Sequence, residues 1–103
     1  LGKSSGIYRA LKIIQLAGKA GMEMQVGGFM ESRIAMTVNA HLALASDNIK
    51  YFDFDTPLMF SSDPVKGGID YGANGLVTLS ESPGIGACIE PGILKGLKKK
   101  VVD

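Results

Sequence analysis

The chain has 103 residues, which is enough for one domain with a modest core. Eleven Lys and Arg against ten Asp and Glu leave a net charge near +1. This balance argues against a nucleic-acid partner, because neutralising phosphates takes a clustered excess of basic residues. With 46% apolar residues and a mean hydropathy of +0.18, disorder is excluded. No apolar run approaches the roughly 18 residues of a membrane span, so no membrane partner is expected.

The single cysteine, Cys88, excludes an internal disulfide and a metal site built from paired cysteines. The N-terminal sequence LGKSSG lacks the apolar segment of a signal peptide. We therefore expect a cytoplasmic protein. Because Cys88 lies in a stretch rich in Gly and Pro with no His near it in sequence, we expect a buried or inert thiol.

The first half of the chain alternates helix and strand patterns. Apolar residues spaced i, i+4 and i+7 predict an amphipathic helix over 6–20, and alternating apolar and polar side chains predict a strand over 22–26. A second helix is predicted over 32–45, followed by a strand over 49–54 that is rich in aromatic and β-branched residues. This order is typical of α/β architecture, with the two strands parallel neighbours and the second helix a right-handed crossover between them.

Turn residues dominate after Pro57. Residues 69–71 and 76–79 flank Asn74-Gly75, a turn sequence that favours a β-hairpin. The tail over 93–102 is compatible with a short helix, although the Lys-rich run near its end disfavours one. The second half is thus predicted to be a turn-rich segment that contains a hairpin.

Asp53 and Asp55 stand two residues apart at the end of a predicted strand, so both side chains point to the same face. Two carboxylates on one face repel unless a cation lies between them or one of them is protonated. One interpretation is a site for an ammonium group or a metal. The other, at least as compatible with the spacing, is a strand end followed by an Asx-turn before Thr56-Pro57.

Gly27 and Gly28 come where a strand meets a helix, so a ligand can approach the backbone and the helix N-terminus favours anions. The alternative is a tight turn in which Glu31 complements the helix dipole. No nucleotide-phosphate loop motif is present. His41 is expected to pack in or beside the core, and as the one histidine it has no partner for a His-based metal site.

Five segments in fixed order resemble the C-terminal part of the mandelate racemase and muconate lactonizing enzyme branch of the enolase superfamily, from Leu1 to about Glu90. They are LGKSSGIYRALKI, MQVGGFMESRIAMTVNAHLA, YFDFDTPL, DPVKGGIDYG and LSESPGIGACIE. The resemblance implies an α/β fold, the C-terminal fragment of a (β/α)7β TIM-like barrel plus a closing segment with a β-hairpin. Residues 1–60 would form the last barrel units, and residues 61–103 the closing segment, packing toward the capping domain.

Within that branch, the paired aspartates resemble those of dipeptide epimerases, in which a D-x-D motif after strand eight binds the substrate's α-ammonium. The resemblance implies a dipeptide substrate, a supporting role for Glu31 at the rim of the site, and substrate-binding roles for Asp53, Asp55, Gly27, Gly28, Phe29 and Met30. Phe29 departs from the family pattern, since many dipeptide epimerases have Cys or a small residue there. The alternatives are an o-succinylbenzoate synthase or muconate cycloisomerase of the same branch, which generally lack the pair, and a non-catalytic α/β fragment that assembles with partner chains.

The resemblance implies that no catalytic residue and no metal ligand lies in this chain. In the family, a Lys-x-x-Lys pattern ends strand six. Lys3 matches its second lysine, so Lys3 flanks the catalytic base, which would stand just before Leu1. The parent enzyme is expected to use Mg²⁺ bound elsewhere. Because the base and the metal ligands are expected outside it, the chain alone is expected to be inactive. The start at Leu1, without an initiator methionine, looks like a cut or processed end.

Both predicted strands would have an edge that pairs with the rest of the barrel in the parent. Unpaired strand edges are templates for pairing with another chain. The inner faces are expected to carry Met24 and Val26 together with Tyr51 or Phe52. We therefore expect the isolated chain to self-associate.

Overall fold

The computed structural model describes residues 1–101. In chain order it contains helix α1 (Ile7–Lys19), strand β1 (Met24–Val26), helix α2 (Arg33–Leu44), strand β2 (Ile49–Phe52), a 3-10 turn (Thr56–Met59), strands β3 (Val65–Gly67), β4 (Asp70–Tyr71), β5 (Val77–Thr78) and β6 (Ala87–Ile89), and helix α3 (Pro91–Gly96). None of the helices within residues 1–101 combines the length and the apolar character needed to cross a membrane.

Strands β1 and β2 pair in parallel, which confirms the prediction from the helix–strand alternation. Met24 pairs with Ile49, and a register shift that skips Lys50 then pairs Gln25 with Tyr51. Both strands are shorter than predicted, by two residues at the start of β1 and two at the end of β2. The two strands lie side by side with their carboxyl ends at the same edge, the arrangement in which α/β proteins place their ligands.

A first core cluster lies between the two helices and the sheet. Its buried residues come from α1, α2 and β2: Ala10, Ile14, Val38, Leu42 and Ile49. Met24 and Val26 pack against this cluster, so the prediction that they occupy the inner face is wrong. The opposite face carries Gln25 and its partner Tyr51, which are both exposed. Alternation along the strand is as predicted, but the apolar side of β1 faces the helices.

A second core cluster joins α2 to the segment that follows β2. Its buried residues are Met36, Ala40 and Ile69, and Phe54, Tyr71, Val77 and Leu79 pack against them. The Arg33 guanidinium pairs with Asp63 and donates hydrogen bonds to the carbonyls of Val65 and Ile69. Thr37 Oγ1 accepts a hydrogen bond of 2.9 Å from the Ile69 N–H. The first two turns of α2 therefore hold the closing segment in place.

The predicted hairpin is confirmed, since β4 and β5 pair in antiparallel fashion. Asn74 and Gly75 take φ values of 59° and 76°, the left-handed conformation for which this turn sequence is suited. Helix α3 begins earlier than predicted, at Pro91, because the fixed φ of proline fits the first turn of a helix. It ends at Gly96, and Val102, the last residue of the predicted tail helix, lies outside the described residues.

Of the two expectations for Cys88, a buried or an inert thiol, the first is wrong, because its side chain is exposed. Strand β6 pairs with β3, and Ala87 and Ile89 are half-buried on either side of the cysteine. Successive side chains of a strand point to opposite faces. Cys88 therefore points away from the face that its two neighbours share.

Candidate functional site

The two aspartates lie where β2 ends. The Asp53 N–H donates a hydrogen bond of 2.9 Å to the Val26 carbonyl, so the chain after β2 continues alongside β1. The side chains of Asp53 and Asp55 are exposed. Hydrogen bonding with the Asp53 side chain, followed by loss of water around the group and by the Asp53 charge, raises the pKa of the Asp55 carboxyl. Two carboxyl groups held this close favour a cation between them or a proton shared by them.

The loop between β1 and α2 lies directly against the segment that follows the aspartates. A Cβ atom on Gly28 would stand 2.0 Å from Met36 Cε, 3.1 Å from Thr56 Oγ1 and 3.3 Å from Glu31 Oε2. Met36 is completely buried, so a side chain at position 28 would have to displace its methyl group within the core. Glycine is therefore favoured at position 28, where it lets the backbones of the two loops come together.

Substitution of the two loop glycines should separate a packing requirement from a general loss of flexibility. We expect Gly28→Ala to destabilise the whole protein by about 1–3 kcal/mol, as overpacking of a filled core does. The matched control is Gly27→Ala, because a Cβ at Gly27 meets one atom within range, Gln25 Nε2 at 4.0 Å. Thermal unfolding of both variants checks this expectation. Equal midpoints for the two would show that the contact with Met36 is not restrictive.

The remaining predicted site residues form the surface of the same loop. Phe29 and Met30 are 65% and 74% exposed. The Phe29 N–H donates a hydrogen bond of 3.4 Å to Glu31 Oε2. The Glu31 side chain therefore restrains the backbone of the loop directly after Gly28. Lys3 Nζ lies 4.8 Å from the centre of the Phe29 ring, within the range of a cation–π contact. The structure thus brings Lys3, which precedes α1, to the loop that follows β1.

Two residues of this region were not identified as candidate site residues from the sequence. Within residues 1–101 the Thr56 hydroxyl is buried and has no hydrogen-bond partner. Tyr71 Oη donates a hydrogen bond of 2.6 Å to the carbonyl of Phe54, the residue between the two aspartates. Burial raises the pKa of the Tyr71 phenol, which keeps it protonated and able to donate. Tyr71 and Phe54 are 17 positions apart, a separation that no local pattern predicts.

The other candidate ligand residues do not add a metal site. His41 is half-buried at the edge of the core as predicted, with Nε2 3.4 Å from the Ile85 carbonyl oxygen. In the part of the chain that the structure describes, no three His, Cys, Asp or Glu side chains come together. Mg²⁺ requires oxygen ligands in near-octahedral geometry. These residues do not form such a site by themselves.

Comparison with known proteins identifies the fold to which this site belongs. Residues 1–93 match the family described as Enolase C-terminal domain-like. The chain belongs to this family. As a member of the enolase C-terminal domain-like family, it is 54% identical over 103 residues to the D-Ala-D/L-Ala epimerase of Cytophaga hutchinsonii. It is also 39% identical over 100 residues to the L-Ala-D/L-Glu epimerase of Bacillus subtilis.

Solved structures of this family contain the same arrangement of elements. The dipeptide epimerase from Cytophaga hutchinsonii, complexed with Mg and the dipeptide D-Ala-L-Val, superposes with a TM-score of 0.85 at 53% identity, over 90% of this chain. The L-Ala-D/L-Glu epimerase from Bacillus subtilis, a substrate-liganded complex, superposes with a TM-score of 0.74 at 39% identity, over 80% of this chain. The chain therefore has the fold of the last part of an enolase-superfamily barrel, as its resemblance to that superfamily predicts.

The matches cover 80–100% of this chain and a minor part of each relative. The chain spans 28% of the Cytophaga epimerase sequence and 27% of the Bacillus one. In the superposed structures the shares are 25% and 23%. The chain therefore corresponds to about a quarter of the length of these relatives.

Proposed function

We propose that the whole protein containing this chain is a dipeptide epimerase. The observation that carries this proposal is the pair of carboxyl groups, Asp53 and Asp55, that follows the carboxyl end of β2 beside the β1–α2 loop. The names of the relatives at 54% and 39% identity support it. The reaction is removal of the proton α to a carboxylate by one lysine, followed by delivery of a proton to the opposite face of the same carbon by a second lysine.

Asp53 and Asp55 bind the ammonium group of the dipeptide in this proposal. Each carboxyl raises the cost of ionising the other, and a cation between them removes that cost. An ammonium group donates several charge-assisted hydrogen bonds and so can engage both side chains at once. The pair therefore recognises the amino end of the substrate and fixes which way round it lies.

The β1–α2 loop lines the carboxyl end of the substrate. Gly27 and Gly28 present backbone without side chains, and Phe29 and Met30 supply an exposed apolar surface beside it. Glu31 supports the loop through its bond to the Phe29 N–H. Each of these contacts orients the substrate, which is the contribution that binding residues make to a proton transfer.

The proton transfers themselves belong to lysines outside this chain. Lys3, whose ammonium group lies over the Phe29 ring, flanks the base, which precedes Leu1 in the whole protein. The proposal includes Mg²⁺ with ligands outside this chain, since the Cytophaga structure is a complex with Mg. No step assigned to the residues of this chain passes through the metal.

The alternatives within the same branch fit the site less well. Muconate and succinylbenzoate substrates carry carboxylates and no ammonium group. They would bring negative charge to a site that already holds two carboxyl groups, which is unfavourable. The paired aspartates therefore favour a substrate with a free amine.

The proposal extends to the organisation of the whole protein. Residues 1–60 form the last barrel units, and residues 61–103 form a closing segment that packs toward the capping domain. The anchoring of the segment around Val65 and Ile69 on Arg33 supports a closing role for it. A cytoplasmic location stays a prediction from the single cysteine.

Proton exchange in deuterated solvent tests the proposed reaction. We expect the whole protein to convert D-Ala-L-Ala into a second diastereomer and to introduce deuterium at the α-carbon, both visible by ¹H NMR. N-acetyl-D-Ala-L-Ala, which lacks the ammonium group, should react on the order of 100-fold more slowly, because it forfeits the charge-assisted bonds to the aspartates. Equal rates for the two compounds, or no exchange with either, would contradict the proposal.

The 103-residue chain alone should show no exchange above the uncatalysed rate in the same assay. The reason is that the proposed base and metal ligands lie outside it. Exchange by the isolated chain would mean that the base has been placed wrongly, and Lys3 would then be the first candidate for it.

A further inference from the structure

The hydroxyl of Tyr71 contacts the backbone of the aspartate pair. Its Oη donates a hydrogen bond of 2.6 Å to the carbonyl oxygen of Phe54, which separates Asp53 from Asp55. The peptide group between Phe54 and Asp55 is planar, so its oxygen, nitrogen and following Cα move as one unit. A bond that holds the Phe54 oxygen therefore also restrains the position of the Asp55 Cα, from which the carboxyl side chain extends.

Tyr71 is itself held on two sides. Its ring packs with Phe54 against the buried cluster of Met36, Ala40 and Ile69. Strand β4, which contains Tyr71, follows directly after Ile69, whose N–H is bound by Thr37 and whose carbonyl is bound by Arg33. The position of the Tyr71 hydroxyl is therefore set by contacts between this segment and α2.

From this geometry we infer that Tyr71 is a positioning residue, which holds Asp53 and Asp55 in the arrangement that binds the substrate's ammonium group. The inference rests on the proposed function and extends it to a residue of the closing hairpin. Tyr71 acts through the Phe54 carbonyl, and the part of the substrate that it affects is the amino end.

Tyr71→Phe removes the hydroxyl and keeps the ring in the core, so the fold is retained. In the whole protein we expect KM for D-Ala-L-Ala to rise roughly three- to tenfold, the range for loss of one hydrogen bond. We expect kcat to change by less than about twofold, because ammonium binding is the same in the ground state and the transition state. The matched control is Tyr8→Phe on α1, where the tyrosine is 70% exposed, and both constants should stay unchanged there.

A second measurement does not depend on turnover. ¹³C NMR titration of the aspartate carboxyl groups should show the raised pKa of Asp55 moving back toward its usual range in Tyr71→Phe and staying in place in Tyr8→Phe. An unchanged KM and an unchanged titration in Tyr71→Phe would overturn the inference. So would a parallel fall in kcat and in the thermal midpoint, which indicates a purely structural role. Absence of dipeptide turnover by the unsubstituted protein would contradict the proposed function instead, and the titration would still decide the role of Tyr71.

Discussion

Asp55→Asn should lower kcat/KM of the whole protein for D-Ala-L-Ala on the order of 100-fold, with no change in the thermal midpoint. The reason is that asparagine keeps the size of the side chain but carries no negative charge, so the ammonium group loses its ion pair with position 55 and keeps at most a weaker hydrogen bond to a neutral oxygen. The side chain is exposed and its negative charge is disfavoured beside Asp53, so loss of that charge should not lower the thermal midpoint. Steady-state kinetics and thermal unfolding on the same preparation measure both quantities.

Asp47→Asn is a matched control for this substitution. Asp47 is also exposed, but it lies before β2, whereas Asp55 follows the carboxyl end of that strand. Its removal changes the net charge by the same amount and should leave kcat/KM unchanged. Equal losses for Asp47→Asn and Asp55→Asn would indicate a general charge effect and would remove the specific role of the pair.

The pH dependence of binding provides an independent check on the pair. The bond to Asp53 raises the pKa of Asp55, so this carboxyl takes up a proton at a higher pH than an ordinary aspartate. Since ammonium binding requires the carboxylate, kcat/KM should fall as the pH falls through that raised value. Replacing the partner by Asp53→Asn removes the neighbouring charge, so the same decline should move to lower pH. A decline at the same pH in both proteins would show that Asp55 is not the group that titrates.

The sequence predicted the pairing of the strands better than it predicted their faces. Helix–strand alternation with short connections leads to parallel neighbours, and β1 and β2 are so paired. The faces were harder to assign because both sides of a parallel sheet in a barrel are covered. A row of apolar side chains along a strand can therefore face either the helices or the interior of the barrel. Met24 and Val26 meet the helices, while Gln25 and Tyr51 occupy the other side.

For the site, the sequence predicted the residues that follow from local spacing. The period of a strand predicted Asp53 and Asp55 on one face, but β2 ends at Phe52, so both aspartates lie beyond the strand, and Asp55 has a helical φ of −77° and ψ of −23°. The need for glycine at position 28 depends on Met36, which lies one helical turn into α2, and the support from Tyr71 depends on a hairpin that folds back over β2. Both are tertiary contacts, so no local pattern could have predicted them.

We also expect the isolated 103-residue chain to self-associate at micromolar concentration. Within residues 1–101, β1 and β2 pair with each other and with no further strand, which leaves one edge of each free to pair with another chain. Apolar side chains of α1 add to this surface: Ile7, Tyr8, Leu11, Ile13 and Leu16 are each more than a third exposed. Burying such surface is favourable by roughly 25 cal/mol per Å².

Sedimentation velocity of the isolated chain measures this association. Two variants distinguish association by packing of the apolar α1 surface from association by pairing of free strand edges. Leu16→Glu places a charge on the apolar surface of α1, where Leu16 is 67% exposed, and should weaken association by face packing. Gln25→Pro removes a backbone N–H from β1 and should weaken association by edge pairing. Because Met24 and Val26 are covered by the helices, we expect the Leu16 variant to have the larger effect. A monomer that unfolds in one cooperative transition would contradict the expectation, since it would show that the two clusters around α2 suffice for a stable fold.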